Sequence, residues 1–221
     1  MLEDRIAEVR RRIADAARGA GRDPGEITLV AVTKKFPPEV IRQAYHLGLR
    51  IFGENYVQEF EAKHSVLADL PDAEFHLIGH LQSNKAKLAV ELFRAIETVD
   101  SARLARRLDS MLPARPLEVM IEVKLSPEET KAGAAPEELP ALIGEIRARP
   151  SLCLTGLMTM PPWSDDPEAT RPYFHRLAEL ARAHGLTRLS MGMSHDLEAA
   201  IEEGSTHVRV GTALFGPRPK A

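Results

Sequence analysis

A (β/α)8 barrel of the TIM type, preceded by an extra N-terminal helix, is the fold the sequence predicts. Three observations point to it. Eight short apolar runs recur, at 27–34, 50–55, 74–80, 95–100, 117–125, 153–160, 186–192 and 207–215. Helical patterns alternate with them along the chain. Most of the runs are continuous rather than alternating, which suits parallel strands covered on both faces. An open doubly wound sheet is the competing architecture. It usually has fewer strands, and often a glycine-rich loop after the first, where this chain has two lysines.

The helices between the runs have recognisable ends. Leu2, Ile6, Val9 and Ile13 line one face of the first, and Gly19 and Gly21 close it. Pro37–Pro38 opens a segment that Gly48 ends. Ser83 can cap a helix running to about Phe93, and Asp100 or Ser101 the next, to about Met111. Pro136 and Pro167 open two more, ending near Arg149 and at Gly185. Ser194 can cap the last, which Gly204 closes. No linker or low-complexity segment interrupts the chain, so residues 1–221 are expected to form one domain.

Composition narrows the function. With 29 basic and 32 acidic residues the net charge is −3, which argues against a nucleic-acid binder. Arg10–Arg11–Arg12 reads as a solvated helix face among Glu3, Asp4 and Glu8. The single cysteine, Cys153, excludes a disulfide framework and a cysteine metal cluster, and its apolar surroundings suggest a buried thiol. His76 and His80 would stand roughly 13 Å apart on a strand, too far for one ion. No signal peptide or membrane-length apolar run is present, so a cytoplasmic protein is expected.

Barrel enzymes gather their chemistry at the C-terminal ends of the strands. Here those ends carry Lys34 and Lys35; Gly53, Glu54 and Asn55; Gly79 and His80; Met158; Gly192 and Ser194; and Arg209, Gly211 and Thr212. The last two sets suit a phosphate, which the loops after strands seven and eight often bind. A lysine opposite such a cradle could form an imine, because desolvation frees its amine to attack. Adjacent lysines point to opposite sides of a strand. Lys34 shares a side with Val30 and Val32, Lys35 with Ala31 and Thr33, and both sets are apolar enough for burial. Parity alone therefore leaves the choice open. A Schiff-base aldolase and a pyridoxal-phosphate barrel both fit, although an aldolase lysine tends to lie on a later strand.

The stretches VAVTKKFPPEVIRQAYHLGLRIFGENYVQE, FHLIGHLQSNK, GLMTM and LSMGMSHDLEAAIEEGSTHVRVGTALFG closely resemble the pyridoxal phosphate homeostasis proteins, the YggS/PROSC family. The resemblance runs from about residue 2 to 218. It implies a fold-type III barrel akin to the N-terminal domain of alanine racemase, with pyridoxal 5'-phosphate as cofactor. The family's imine lysine maps onto Lys34. Members often carry their second lysine two residues later, whereas Lys35 is adjacent. Ser194, Gly211 and Thr212 match phosphate-contacting positions, Arg209 the arginine facing the pyridine nitrogen, and Asn55 a residue near the cofactor. His80 and Met158 lie at strand ends lining the mouth. Lys131 and Gly133 match a family stretch that could form a second phosphate site. His195 receives no role.

What the family does is implied in the same way: pyridoxal phosphate is held as an internal aldimine and delivered to apoenzymes, with effects on amino-acid balance. Arg209, always charged, would weaken the cofactor as an electron sink. Low-level amino-acid racemisation is the alternative. It needs a second base, which racemases of this fold draw from a C-terminal domain that the chain is expected to lack. Tyr45, Tyr56 and Tyr173 fall in helical patterns, and Tyr56 reads as a packing residue. A monomer is expected, with a dimer as the other possibility, and neither nucleic acid nor membrane as partner.

Overall fold

The computed structural model of the chain describes residues 1–111, 115–126, 128 and 132–217. Eight parallel strands close into a barrel in sequence order: β1 (Thr28–Val32), β2 (Ile51–Glu54), β3 (Glu74–Leu77), β4 (Ala95–Val99), β5 (Leu117–Glu122), β6 (Leu152–Met158), β7 (Arg188–Met193) and β8 (His207–Val210). Closure comes from β1 pairing with β8, with Val30 opposite Arg209. Around the strands run α1 (Leu2–Gly19), α2 (Pro38–His46), α3 (Val57–His64), α4 (Ala86–Leu92), α5 (Ala102–Asp109), α6 (Leu139–Arg147), α7 (Arg171–Ala183), α8 (Leu197–Glu202) and α9 (Thr212–Phe215).

Strand parity divides the protein into two environments. Ala31, Leu77, Ile121, Leu157, Leu189, Val208 and Val210 point outward into one continuous core with the helices. The alternate positions point into the lumen. A Cβ on Gly53 would lie 2.8 Å from Ile78 and 3.0 Å from Val30, so β1, β2 and β3 meet there. Much of the remaining lumen is polar: His76, Glu97, Glu122, Ser190, His207 and Arg209 are all buried.

Several local expectations change. The strands are shorter than the apolar runs, and the run at 207–215 is only half strand. It ends at Val210, and Thr212–Phe215 turn into a short helix after Gly211. Ser194 does not cap α8. Asp196 stands at that position and accepts the Met193 N–H at 2.7 Å. Cys153 is exposed, because it is the second residue of β6, beside Glu118 at the amino-terminal rim. Tyr56 precedes α3 rather than lying within it and is 51 % exposed, so it is no packing residue.

The extra helix docks through Ile6, Val9, Ile13, Ala16 and Ala17, and it contacts α8 and α9. Its basic run is only partly solvated. Arg10 and Arg11 are exposed, but Arg12 turns inward and binds both carboxylate oxygens of Glu198, at 2.6 and 2.7 Å. It also donates to the Ser194 carbonyl at 3.1 Å, tying α1 to the loop after β7. Among the described residues no helix is long and apolar enough to cross a membrane.

Candidate functional site

At the carboxyl end of the barrel lies a cavity of about 560 Å3. Lys34, Asn55, Ser194, Arg209, Gly211 and Thr212 all line it. Six residues from four segments of the sequence thus meet around one space. Its apolar walls are Val32, Ile78, Met160, Trp163 and Met193. His80 and Met158 stand elsewhere. His80 is exposed on a neighbouring cavity, 3.5 Å from Asp100. Met158 is fully buried in β6, and Met160, two residues on, reaches the mouth instead. Lys131 lies outside the described residues.

The position of Lys34 follows from the turn that ends β1. Ala31 belongs to the outer core, while Val30 faces the lumen beside Gly53 and Val32 lines the cavity. Lys34 continues the lumen side. Lys35 is exposed and adopts φ 65°, the left-handed region that a non-glycine residue rarely occupies. An ionic cluster holds this turn. The Lys35 N–H donates to Glu59 at 2.6 Å. Glu59 binds Lys63, 2.6 Å away, and Lys63 donates to the Thr33 carbonyl at 3.1 Å and to Glu54 at 3.1 and 3.3 Å. Thr33 Oγ1 also donates to Glu54, at 2.8 Å. Burial pushes the Glu54 carboxyl up, and Lys63 opposes that rise.

On the opposite side the loops after β7 and β8 are joined. Ser194 Oγ accepts the Ala213 N–H at 3.2 Å, which leaves its own proton to donate into the cavity. Gly192, at φ 89°, makes the close turn that brings Ser194 there. A Cβ on it would stand 2.4 Å from the Ala200 Cβ, so only glycine fits. Thr212 and the Gly211 backbone complete a wall of donors suited to an anionic group.

Arg209 forms the cavity floor. Its guanidinium donates to Ser190 Oγ at 2.7 Å and to the Thr159 carbonyl at 3.0 Å. Ser190 in turn donates to Glu97 at 2.5 Å, and Glu97 pairs with His76 Nδ1 at 2.8 Å. Burial lowers the Arg209 pKa, and Glu97, Glu122 and Asp196 counter it. Burial alone would raise Glu97, yet His76, His207 and Arg209 outweigh it and bring that carboxyl down to about 2. His207, deeper in the lumen, is lowered to about 4, chiefly by burial. The floor therefore presents a fixed positive charge balanced by a buried carboxylate.

Sequence reasoning missed the supports. Lys63 and Glu59 are four apart on α3, a spacing that reads as an exposed helix pair. Only the tertiary fold shows Lys63 buried against Glu54. Trp163 and His195, whose tilted rings meet with centroids 5.1 Å apart at the rim, lie in a loop and a turn with no periodic signal.

An amine, a donor cradle and a buried guanidinium around one cavity define a barrel equipped for an anionic carbonyl ligand. The family description "Alanine racemase, N-terminal domain" matches residues 6–219. A pyridoxal phosphate homeostasis protein of Pseudomonas aeruginosa is 48% identical over 98% of this chain and 96% of its own length. One from Aquifex aeolicus is 44% identical, covering 97% of each. PipY of Synechococcus elongatus PCC7942, solved with PLP bound, superposes with a TM-score of 0.86 at 40% identity, over 98% of this chain and all of that one. An alanine racemase from Corynebacterium glutamicum shares the fold at 22% identity and a TM-score of 0.72. The chain belongs to the alanine racemase N-terminal domain family and, within it, to the pyridoxal phosphate homeostasis proteins.

Proposed function

We propose that this protein binds pyridoxal 5'-phosphate in the Lys34 cavity and holds it reversibly for delivery to enzymes that need it. The observation that carries the reading is the meeting of Lys34, Ser194, Gly211, Thr212 and Arg209 around one space. The donor set fits the group. Lys34 offers an amine to its aldehyde, Ser194 and Thr212 offer hydroxyls to its phosphate, and Arg209 offers a cation to its ring nitrogen. The relatives named above, one of them solved with PLP bound, support the same assignment.

When bound, the cofactor supplies an aldehyde carbon that a primary amine can capture and release as a Schiff base. The chain's own residues set how firmly it is held. The Glu54–Lys63–Glu59 cluster fixes the turn carrying Lys34. The Arg209 charge stays where Ser190 and Thr159 pin it, and it opposes protonation of a ring nitrogen. That favours storage over carbanion chemistry. The cavity is open at its mouth, where Trp163 is 70 % exposed, so a ligand can leave without domain movement.

The test is transfer. The loaded protein, incubated with an apo-aminotransferase across a dialysis membrane and in direct mixture, should activate it faster in mixture. Equal rates would reduce the protein to a passive reservoir. Racemisation remains the second reading, because His195 lines the same cavity as Lys34 and could serve as an opposing base. Loaded protein with L-alanine in D2O distinguishes the two. Deuterium uptake at Cα with loss of optical purity would favour the racemase.

A further inference from the structure

A second cavity, of about 280 Å3, adjoins the first, and Asn55, Ile78 and Met160 line both. Its inner wall is Glu122, at the end of β5. Glu122 is 7% exposed, and among the described residues its buried Oε2 meets no hydrogen-bond donor. Asn55 Oδ1 is buried in the same condition. Buried polar atoms are ordinarily paired, so two unpaired ones around a single cavity point to a missing partner. Both atoms are acceptors, which makes the partner a donor. One belongs to a carboxyl group, which favours a cation.

The size and the remaining wall narrow the choice further. Ile78, Leu125 and Met160 offer apolar contact to a short carbon tail, and His80, Lys124 and Ser126 also line the space. Among the described residues no group of three or more His, Cys, Asp or Glu could hold a metal ion. A planar guanidinium presents a fixed fork of donors, whereas a primary ammonium places three around one atom. Two acceptors and one water satisfy the ammonium.

We infer that this annex is a binding site for a small ligand carrying a primary ammonium group, with Glu122 Oε2 and Asn55 Oδ1 as its acceptors. The ammonium can belong to a simple amine or to an α-amino acid. The site stands whether or not Lys34 carries a cofactor. The annex adjoins, through Asn55, Ile78 and Met160, the cavity that Lys34 lines.

The experiment uses the full chain stripped of any bound cofactor with hydroxylamine and then dialysed, with methionine methyls labelled by carbon-13 and n-propylammonium as probe. The Met160 methyl signal should shift and saturate. Glu122→Gln keeps the shape, removes the charge and should weaken binding about tenfold or more, the scale of one charge-assisted contact. Tetramethylammonium has no N–H donor and should produce no saturable shift, a control that needs no variant to fold. L-alanine binding more tightly than n-propylammonium would support an amino acid as the natural source, and weaker binding a free amine. No saturable shift, a shift that tetramethylammonium reproduces, or unchanged affinity in Glu122→Gln would overturn the site and leave interior water as the partner of both atoms. Because pyridoxal phosphate is absent throughout, these results are independent of whether the larger cavity binds it.

Discussion

Single residues decide most of the chemistry proposed here, and two glycines show how narrowly. Gly192 permits the turn that presents Ser194. At φ 89°, with Ala200 in the way, Gly192→Ala should destabilise the fold by about 2 kcal/mol or more, seen as a lowered thermal midpoint. A Cβ on Gly79 would stand 2.3 Å from the Asn55 carbonyl, so glycine there lets the segment after β3 pass the residue shared by both cavities. Under the proposed function Ser194 would donate one hydrogen bond to the phosphate. Its loss should weaken pyridoxal phosphate about tenfold, the scale of a hydrogen bond to a charged group, measured by equilibrium titration of Ser194→Ala. Unchanged affinity would remove Ser194 from the site. The choice between Lys34 and Lys35 shows what one-dimensional reading lacks. Both lysines follow apolar neighbours, and only the packing of Val30 against Gly53 and Ile78 separates lumen from outer core. The family pattern selected Lys34 without that geometry.

At the scale of elements, the barrel is held in functional shape by contacts between neighbours in space. The turn after β1 depends on α3 through Glu54, Glu59 and Lys63. Removing one partner of a buried ion pair typically costs about 3–5 kcal/mol, because the other charge is stranded. Lys63→Met should therefore lower stability by that order in denaturant unfolding and slow imine formation at Lys34. Adding Glu54→Gln should restore much of the stability, since the fully buried carboxylate is then gone and only the partly exposed Glu59 loses its partner. No recovery in the double variant would contradict the pairing. Likewise α1 reaches the site through Arg12, which grips Glu198 and the Ser194 carbonyl. In sequence Arg12 is the third of three arginines on an amphipathic helix. Nothing local distinguishes it from Arg11, which pairs with Glu8 and Asp15 on the surface.

Across the whole molecule, the alternation of strand and helix was legible because parallel strands buried on both faces must be continuously apolar. The polar lumen was not legible. His76, Glu97, Ser190, His207 and Arg209 each interrupt an apolar run, and their mutual contacts span sequence separations up to 93 residues. That buried network makes stability depend on pH. Folded His207 is lowered from 6.5 to about 4, so between those values the unfolded chain takes a proton that the folded chain refuses. Stability is then present above about pH 6.5 and falls as acid is added, by about 3 kcal/mol from this group. Glu97 acts in the same direction at lower pH, because its carboxyl is lowered to about 2 and its contribution fades as pH falls from the ordinary 4.5. Urea unfolding between pH 7 and 4 should show the decline, and His207→Gln should flatten it. An unchanged slope in that variant would assign the acid sensitivity elsewhere.

The proposed function rests on Lys34 as the amine that captures pyridoxal phosphate. Borohydride reduction of the loaded protein followed by peptide mass mapping tests it most directly. The reduced protein should carry one pyridoxyl adduct, on Lys34, with Lys35 unmodified and the adduct lost in Lys34→Ala. An adduct on Lys35, or none at all, would contradict it.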